Sequence, residues 1–171
     1  SSVGAVVAVD FKDNDAPVVR KVDFNLSDYN HSLCIIDSGA DHADLTHEYA
    51  AVTEEMRLVS EFFGKKFLRE VSKSDFMANL KDIRKAVNND RAILRAIHYF
   101  NDSDRAVAET EAVENGDFAE FCKLNRESGR SSFMYLQNVY ASSMPKSQAV
   151  SLTLALCDEI LGDKGSFRVH G

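Results

Sequence analysis

The sequence has few of the residues that interrupt regular structure, with two prolines and eight glycines among 171 residues. Apolar residues make up 44% and charged residues 27% of the chain, which are ordinary proportions for a globular protein. This composition excludes the disordered and fibrous classes. A chain of this length buries roughly 70% of its unfolded surface, so we expect one domain with one core.

Positive charge is also scarce. Twenty Lys and Arg residues stand against 27 Asp and Glu, and the formal net charge is −7. The chain therefore lacks the positive field that collects nucleic acids or anionic membranes, and we expect neither as a partner. A bound nucleotide would have to be held locally, by backbone amides, a metal ion or a few placed side chains.

Long apolar runs and cysteine pairs are missing too. No run approaches the ~18 residues of a membrane-spanning helix, and no basic-then-apolar leader precedes Val3. These absences predict a cytoplasmic protein. The cysteines, Cys34, Cys122 and Cys157, are odd in number and lie among apolar neighbours. We expect reduced thiols in the core rather than a disulfide framework.

The first forty residues have the composition of a small sheet. Residues 3–11 and 18–24 are rich in valine and flank a turn, which predicts a β-hairpin. A third apolar run at 31–36 predicts another strand, which ends at the turn-forming residues 37–39. A last strand is expected at 167–170.

Further along the chain the apolar residues recur every three or four positions, which is typical of amphipathic helices. The pattern predicts a helix of about twenty residues that ends at Gly64 and a second that begins after a Ser74 cap. A third, capped by Asp90, is expected to run to 115–116 with a kink or break at 101–104. Three further helical segments are expected at 117–128, at 133–140 and from Pro145 to Gly162. The class is therefore α+β, with helices on one side of a small sheet.

Common catalytic and metal-binding constellations are not found. His42 and His47 are five residues apart, so on a helix they point about 140° from each other and do not share one metal ion. Cys122 has no neighbouring histidine to activate it as a nucleophile. His98 has no acidic partner at a recognised spacing and is expected at the surface or as a satisfied interior residue. The acidic pairs of the predicted helices are expected to be solvated: Glu54 and Glu55, Asp102 and Asp104, Glu109 and Glu111.

Three segments together resemble a known family. In the first, 37–49, a predicted strand is followed by His42, six residues and then Tyr49. The second is Arg-Ala-Ile-His at 95–98, and the third is Leu-Asn-Arg-Glu-Ser-Gly-Arg-Ser-Ser at 124–132. In these segments the sequence resembles the galactokinase branch of the GHMP kinase superfamily.

This resemblance spans nearly the whole chain and implies a fold and an activity. Residues 29–171 would form a GHMP-kinase carboxy-terminal domain, with helices on one side of a small antiparallel, ferredoxin-like sheet, truncated within the third glycine-rich motif. Residues 1–28 would be a β-hairpin left over from the amino-terminal kinase domain. The implied reaction moves the γ-phosphoryl group of ATP to the anomeric hydroxyl of galactose, giving galactose 1-phosphate.

The resemblance also implies roles for individual residues. Tyr49 would hydrogen-bond a sugar hydroxyl, because a phenol offers a donor and an acceptor on a rigid stem; its spacing alone would instead place it on the inner stripe of its helix. His42 would orient a loop or touch the sugar pocket, or would be an ordinary turn histidine. His170 and Gly171 would begin the third glycine-rich motif, where backbone can approach a phosphate loop closely.

By the same resemblance, the catalytic aspartate and the phosphate loop lie outside this sequence, whose abrupt ends suggest truncation. We therefore expect no catalytic residue in this chain, no activity from it alone, and no tight binding of the ATP and Mg²⁺ that the intact enzyme uses. The uncovered interface with the missing amino-terminal domain, above all the hairpin edge, predicts an exposed apolar patch or a homodimer that hides it.

Two alternatives stay open for the parent protein. Instead of a galactokinase, the parent would be another GHMP small-molecule kinase. Or it would be a non-catalytic regulatory or interaction module that has kept a galactokinase-like fold. The upstream sequence distinguishes an enzyme from such a module, because a Met-Asp-Gln tripeptide preceded by a phosphate loop indicates the enzyme.

Overall fold

The fold begins with a β-hairpin. The computed structural model describes residues 6–11, 13, 15–39 and 46–169. Strand β1 (Val6–Asp10) pairs with strand β2 (Val18–Val22) in antiparallel register, with Val6 opposite Val22 and Asp10 opposite Val18. Of the strand residues only Val22 is buried. The expected hairpin is confirmed, and near its turn Arg69 contacts Asp10 and the Phe11 carbonyl.

Helices make up most of the remaining described chain, and the longest one lies at their centre. The α-helices are α1 (Thr46–Phe62), α2 (Lys73–Ala78), α3 (Leu80–Val87), α4 (Asp90–Glu114), α5 (Phe118–Ser131) and α6 (Ala149–Leu161). A π-helix at Ser132–Leu136 continues α5, and 3-10 turns lie at Leu26–Tyr29, Leu68–Glu70 and Gly162–Lys164. The α+β class is confirmed.

Side-chain caps explain where two of the helices begin. The Ser72 side chain accepts the Asp75 N–H at 3.0 Å and starts α2, and the Asn89 side chain accepts the Ala92 N–H at 3.2 Å and starts α4. The predicted caps at Ser74 and Asp90 are therefore wrong: the observed caps lie two residues before Ser74 and one residue before Asp90. A cap residue must lie outside the helix with its side chain reaching back to an amide two or three residues on, and here both predicted residues lie inside the helix.

Two interior breaks also differ from the prediction. The second predicted helix is divided at Asn79 into α2 and α3. By contrast, α4 runs unbroken through 101–104. Its polar side chains there are used by the fold: the Ser103 hydroxyl donates to the Tyr99 carbonyl at 2.7 Å, and Asp102 binds groups on α5. The predicted break is therefore wrong, because α4 is one continuous helix there.

The predicted third and last strands do not form within the described residues. Residues 31–36 and 167–169 run in extended or irregular conformation without pairing, and the sheet described there has two strands. A strand requires a partner with free backbone groups. The local sequence of both segments favours a strand, but pairing depends on a second strand that the local sequence does not reveal. The larger sheet of the expected fold is therefore not observed.

The main hydrophobic core lies between α1, α4 and the segment that joins them. Phe76 is fully buried, and its ring centroid lies 5.1 Å from that of Phe100. The aromatic pair joins α2 to the middle of α4. The other buried members of this cluster are Val59, Leu68, Val71, Ile83, Ala92, Ile93 and Ala96.

A smaller aromatic cluster fixes the polypeptide that leads out of the hairpin. The Tyr29 ring stacks on Phe118 at the start of α5, with centroids 4.5 Å apart, and Phe24 lies 5.3 Å from Phe121. An ion pair between Arg20 and Glu114, with nitrogen and oxygen 2.6 Å apart, adds a contact between β2 and α4. The hairpin is thus attached to the end of α4 and the start of α5.

Large apolar side chains are exposed at many positions of the described chain. They include residues on the hairpin, on the extended segment after it, where Ile35 is 92% exposed, and along α6: Val18, Val19, Leu33, Ile36, Leu152, Leu156 and Ile160. The expected apolar exposure on the hairpin is observed. Cys34 is exposed as well, so its predicted core position is wrong, whereas Cys122 is buried. None of the helices in the described part of the chain is long and apolar enough to cross a membrane.

Candidate functional site

Tyr49 lies in the first turn of α1 and is 51% exposed. The inner face of this helix is formed instead by Glu55, Val59 and Ser60, all of which are buried. Packing into the core therefore does not account for a tyrosine at this position. The phenol is accessible to a ligand at this end of α1.

The residue before Tyr49 anchors the same turn to a distant loop. Glu48 Oε1 accepts hydrogen bonds from the Ser142 backbone N–H at 3.0 Å and from the Ser142 hydroxyl at 2.7 Å. The hydroxyl bond is the main cause that lowers the pKa of Glu48, with smaller effects from Arg91 and His47, and it outweighs the opposing effect of burial. The carboxylate is therefore ionised at neutral pH, and the loop is fixed to the helix turn that carries Tyr49.

A buried charge cluster lies two turns further along α1. Glu55 receives two hydrogen bonds from Arg91 Nε, at 3.0 and 3.1 Å, and one from Arg91 Nη2 at 2.7 Å. Arg95 Nη1 donates to Glu55 Oε2 at 2.9 Å, and Arg95 Nε donates to the Leu136 carbonyl at 3.0 Å. The cluster therefore ties α1, α4 and the π-helix together.

The electrostatics of this cluster favour the ion pairs. Burial acts to raise the pKa of Glu55, but the hydrogen bond from Arg91 and the charges of both arginines bring the pKa below its ordinary value. Arg91 also interacts electrostatically with Glu48, so the two groups of charges are coupled. The prediction that the pair Glu54 and Glu55 is solvated is wrong for Glu55, whose partners lie on a different helix.

A polar seam follows α4 where it packs on α5. His98 Nδ1 lies 2.9 Å from the Ser131 hydroxyl, and His98 Nε2 lies 3.6 Å from Asp102 Oδ2. Asp102 Oδ1 accepts the Ser128 hydroxyl at 2.7 Å and the Arg105 Nε–H at 3.1 Å. His98 is thus a satisfied interior residue, which was one of the two positions predicted for it; the other was the surface. Its acidic partner, one helical turn away, was missed.

Burial excludes a nucleophilic role for this seam. Ser131 and His98 are both buried, so no substrate reaches the hydroxyl. Burial is also the main cause that lowers the pKa of His98, so the ring is neutral at neutral pH. The seam holds α4 on α5. The predicted solvation of Asp102 and Glu109 is wrong, since burial raises the pKa of Glu109 and the Asp102 side chain is engaged.

The remaining predicted site residues cannot be placed. His42, His170 and Gly171 lie outside the described residues. The described part of the chain brings together no three His, Cys, Asp or Glu side chains that could hold a metal ion.

Several curated galactokinases are similar to this chain. It is 24% identical to the galactokinase of Actinobacillus pleuropneumoniae serotype 3 (strain JL03) over 143 residues, which cover 84% of this chain and 35% of that protein. It is 26% identical to the galactokinase of Glaesserella parasuis serovar 5 (strain SH0165) over 139 residues, covering 81% and 34%. No protein-family model matches the chain. The match therefore spans about a third of the length of these relatives.

Proposed function

The chain is a relative of the galactokinases, as its motifs indicated, and from this premise we propose that it is part of a sugar kinase that phosphorylates galactose. The intact protein would transfer the γ-phosphoryl group of ATP to the anomeric hydroxyl and release galactose 1-phosphate. Residues 29–171 would belong to a GHMP-kinase carboxy-terminal domain, and residues 1–28 to a hairpin of the preceding domain. The protein would act in the cytoplasm.

The observation that carries this proposal is the exposed Tyr49 on an anchored helix turn. The adjacent Glu48 holds Ser142 by two hydrogen bonds, and Glu55 further along the helix is fixed by Arg91 and Arg95. The phenol is therefore mounted on a rigid support, yet it is open to a ligand. Orientation of a substrate hydroxyl by a pre-positioned group supports a phosphoryl transfer that depends mainly on positioning.

Tyr49 would hold a galactose hydroxyl, and the chemistry itself would come from elsewhere. By the family resemblance, the catalytic aspartate and the phosphate loop lie in polypeptide that this sequence does not include, so the 171-residue chain alone is expected to be inactive. ATP and Mg²⁺ would bind mainly to that other part. His42 would lie near the sugar, and His170 and Gly171 would begin the third glycine-rich motif.

The exposed apolar surface supports the same proposal. Contiguous apolar patches on a protein usually mark an interface. Here large apolar side chains are exposed on the hairpin and on the extended segment after it, with Leu33 and Ile35 among the most exposed. We propose that the amino-terminal kinase domain, or a second copy of the chain in its absence, covers this surface.

The decisive test is activity of the intact parent. The complete protein should be expressed from its gene and assayed for ATP-dependent phosphorylation of galactose beside other sugars and non-sugar alcohols, with the 171-residue chain as the negative control. Phosphorylation of galactose supports the proposal. Phosphorylation of a different alcohol would identify another small-molecule kinase, and absence of any transfer would indicate a non-catalytic module.

The role of Tyr49 is tested by Tyr49→Phe in the active parent. Loss of one neutral hydrogen bond costs about 1 kcal/mol, so kcat/KM for galactose should fall about fivefold while the KM for ATP is unchanged. Tyr29→Phe is the matched control, because Tyr29 packs in the aromatic cluster near the start of α5. If both variants keep wild-type kinetics for galactose, Tyr49 does not contact the sugar.

A further inference from the structure

One histidine side chain joins the segment after the hairpin to the other end of the described chain. His31 Nδ1 lies 2.6 Å from the Tyr29 carbonyl oxygen, and His31 Nε2 lies 2.8 Å from the Lys164 carbonyl oxygen. Lys164 is 133 residues further along the sequence and belongs to the 3-10 turn at Gly162–Lys164. The Phe118 ring packs against the imidazole, with centroids 4.6 Å apart. The imidazole therefore bridges two parts of the chain that are distant in sequence.

Both bonds form only when the ring is protonated. A carbonyl oxygen only accepts hydrogen bonds, so each ring nitrogen must donate an N–H. The neutral ring carries a single N–H, and the lone pair of its other nitrogen would face a carbonyl oxygen at hydrogen-bond distance. In keeping with this geometry, the two carbonyl bonds are the main causes that raise the pKa of His31. The bridge is complete in the imidazolium state and incomplete in the neutral state.

The charged groups around the ring are largely paired with one another. The cleft that His31 lines at the start of α5 also contains Asp117, Glu120, Cys122, Lys123, Arg126, Asp163 and Lys164. Lys123 pairs with Glu120 at 3.0 Å, and Arg126 lies 3.4 Å from an Asp163 oxygen. The Asp117 carboxylate caps α5 by accepting the Glu120 backbone N–H. Among the described residues no carboxylate forms an ion pair with His31, so the two carbonyls are its partners.

The contacts that hold the turn on its other side do not respond to pH near neutrality. Arg126 Nη1 donates to the Gly162 carbonyl at 2.9 Å and to the Gly165 carbonyl at 2.8 Å. A guanidinium does not lose its proton in a protein. The next residues lie directly on α5, since a Cβ atom at Gly129 would lie 2.6 Å from the Phe167 carbonyl oxygen. Of these attachments, the histidine bond is the one that a proton can make or break.

We propose that His31 is a proton-operated latch: the imidazolium holds the Gly162–Lys164 turn against the segment after the hairpin, and loss of the proton releases the turn on that side. The neutral ring keeps its bond to Tyr29, because this partner is two residues away and closing so short a loop costs little chain entropy. The bond to Lys164 is the one that is lost, and its loss widens the cleft that both residues line.

The latch is closed at low pH and open at high pH. A group whose pKa is raised in the folded protein is fully protonated below its unfolded pKa and loses its proton as the pH rises through the raised value. Histidine changes charge between about pH 5 and 8, so release falls in the physiological range. The latch acts whether or not the parent phosphorylates galactose, and it does not rest on the proposed function.

The first test follows the ring and the two carbonyls of the complete parent protein by ¹³C NMR between pH of about 5.5 and 8.5. Tyr29–Asn30 and Lys164–Gly165 are the only Tyr-Asn and Lys-Gly pairs in this sequence, so paired carbonyl and nitrogen labels select their signals. We expect the ring to titrate with a midpoint above its ordinary pKa of about 6.5. The Lys164 carbonyl signal should shift with the same midpoint, and the Tyr29 signal should shift much less. A Lys164 signal that does not follow the ring would overturn the latch.

Hydrogen exchange of the backbone amides 163–166, corrected for the intrinsic effect of pH, measures the release of the turn. Protection in the wild type should fall about tenfold between pH of about 5.5 and 8.5, as expected for loss of one charge-assisted hydrogen bond. Glutamine has no proton to lose in this range, so protection in His31→Gln should be the same at both pH values. His47→Gln is the matched control, because the His47 side chain is 69% exposed, and it should behave as wild type. Equal protection at both pH values in the wild type, or an undiminished pH effect in His31→Gln, would overturn the latch.

Discussion

Replacement of Glu55 by glutamine is expected to destabilise the fold strongly, because the carboxylate neutralises a guanidinium that has almost no access to water. Arg95 is 1% exposed and donates to Glu55 Oε2 at 2.9 Å. Glutamine has nearly the same shape as glutamate, so packing is preserved while the negative charge is lost. The variant therefore reports on charge compensation and not on a cavity.

The expected loss can be estimated from the environment of each arginine. Removing one partner of a buried ion pair costs about 3 to 5 kcal/mol, because a charge is left buried without compensation. The Arg91 side chain is 29% exposed and can rehydrate, so it adds little to this loss. Domains unfold with a total free energy of about 5 to 15 kcal/mol, so this single change should remove a substantial fraction of it.

Urea unfolding followed by circular dichroism measures this loss, with Glu54→Gln at the exposed neighbouring position as the control. The pH dependence provides a second check. The folded-state pKa of Glu55 is lowered, so its stabilising contribution is present above the unfolded pKa and is lost as the pH falls through the folded value. The difference in the free energy of unfolding between wild type and Glu55→Gln should have its full size at pH 7 and should shrink below a pH of about 4.3. A loss below about 1 kcal/mol at pH 7 would refute the reasoning.

Two further predictions concern the core and the extended segment. Phe76→Ala should cost about 3 to 5 kcal/mol, since the side chain is fully buried, whereas Met77→Ala at the exposed next position should cost less than about 1 kcal/mol; equal urea midpoints would contradict this. His31 lies between the Tyr29 and Lys164 carbonyls at 2.6 and 2.8 Å, so both ring nitrogens must donate, and these two bonds raise its pKa. The difference in thermal stability between wild type and His31→Gln should therefore be largest below a pH of about 6.5. It should disappear as the pH rises through the raised pKa of His31 in the folded protein. An equal difference at pH of about 5.5 and 8.5 would argue against this prediction.

The helices were largely predictable because their signals are local. The three- and four-residue spacing of apolar side chains located α1 and α4, and Gly64 and Gly162 marked the ends of α1 and α6. Caps were missed by one or two residues, since several polar residues in a row can each serve as a cap and only the backbone decides among them. The strands predicted at 31–36 and 167–170 do not form within the described residues, because a strand needs a distant partner that the local sequence does not reveal.

The charged groups were predictable only where the partners share one helix. The contact of Asp102 with His98 spans one turn, so the spacing of four residues carried the signal, although the sequence-based interpretation did not use it. The ion pairs of Glu55 join residues 36 and 40 positions apart, and no local pattern distinguishes Glu55 from its solvated neighbour Glu54. The requirement for glycine at position 129 could not be predicted either, because the backbone carbonyl that approaches it belongs to the distant Phe167.

The apolar stripe of α6 links these observations to the proposed function. Leu152, Leu156 and Ile160 follow one another at four-residue spacing, which predicts a buried face, yet all three are exposed. A helix that lies on the surface of its own domain has no reason to keep such a row unless something covers it. The match spans about a third of the galactokinase relatives, and under the proposed function the remaining polypeptide would cover this row. Under the proposed function, we therefore propose that the exposed row of α6 is a contact surface for further protein.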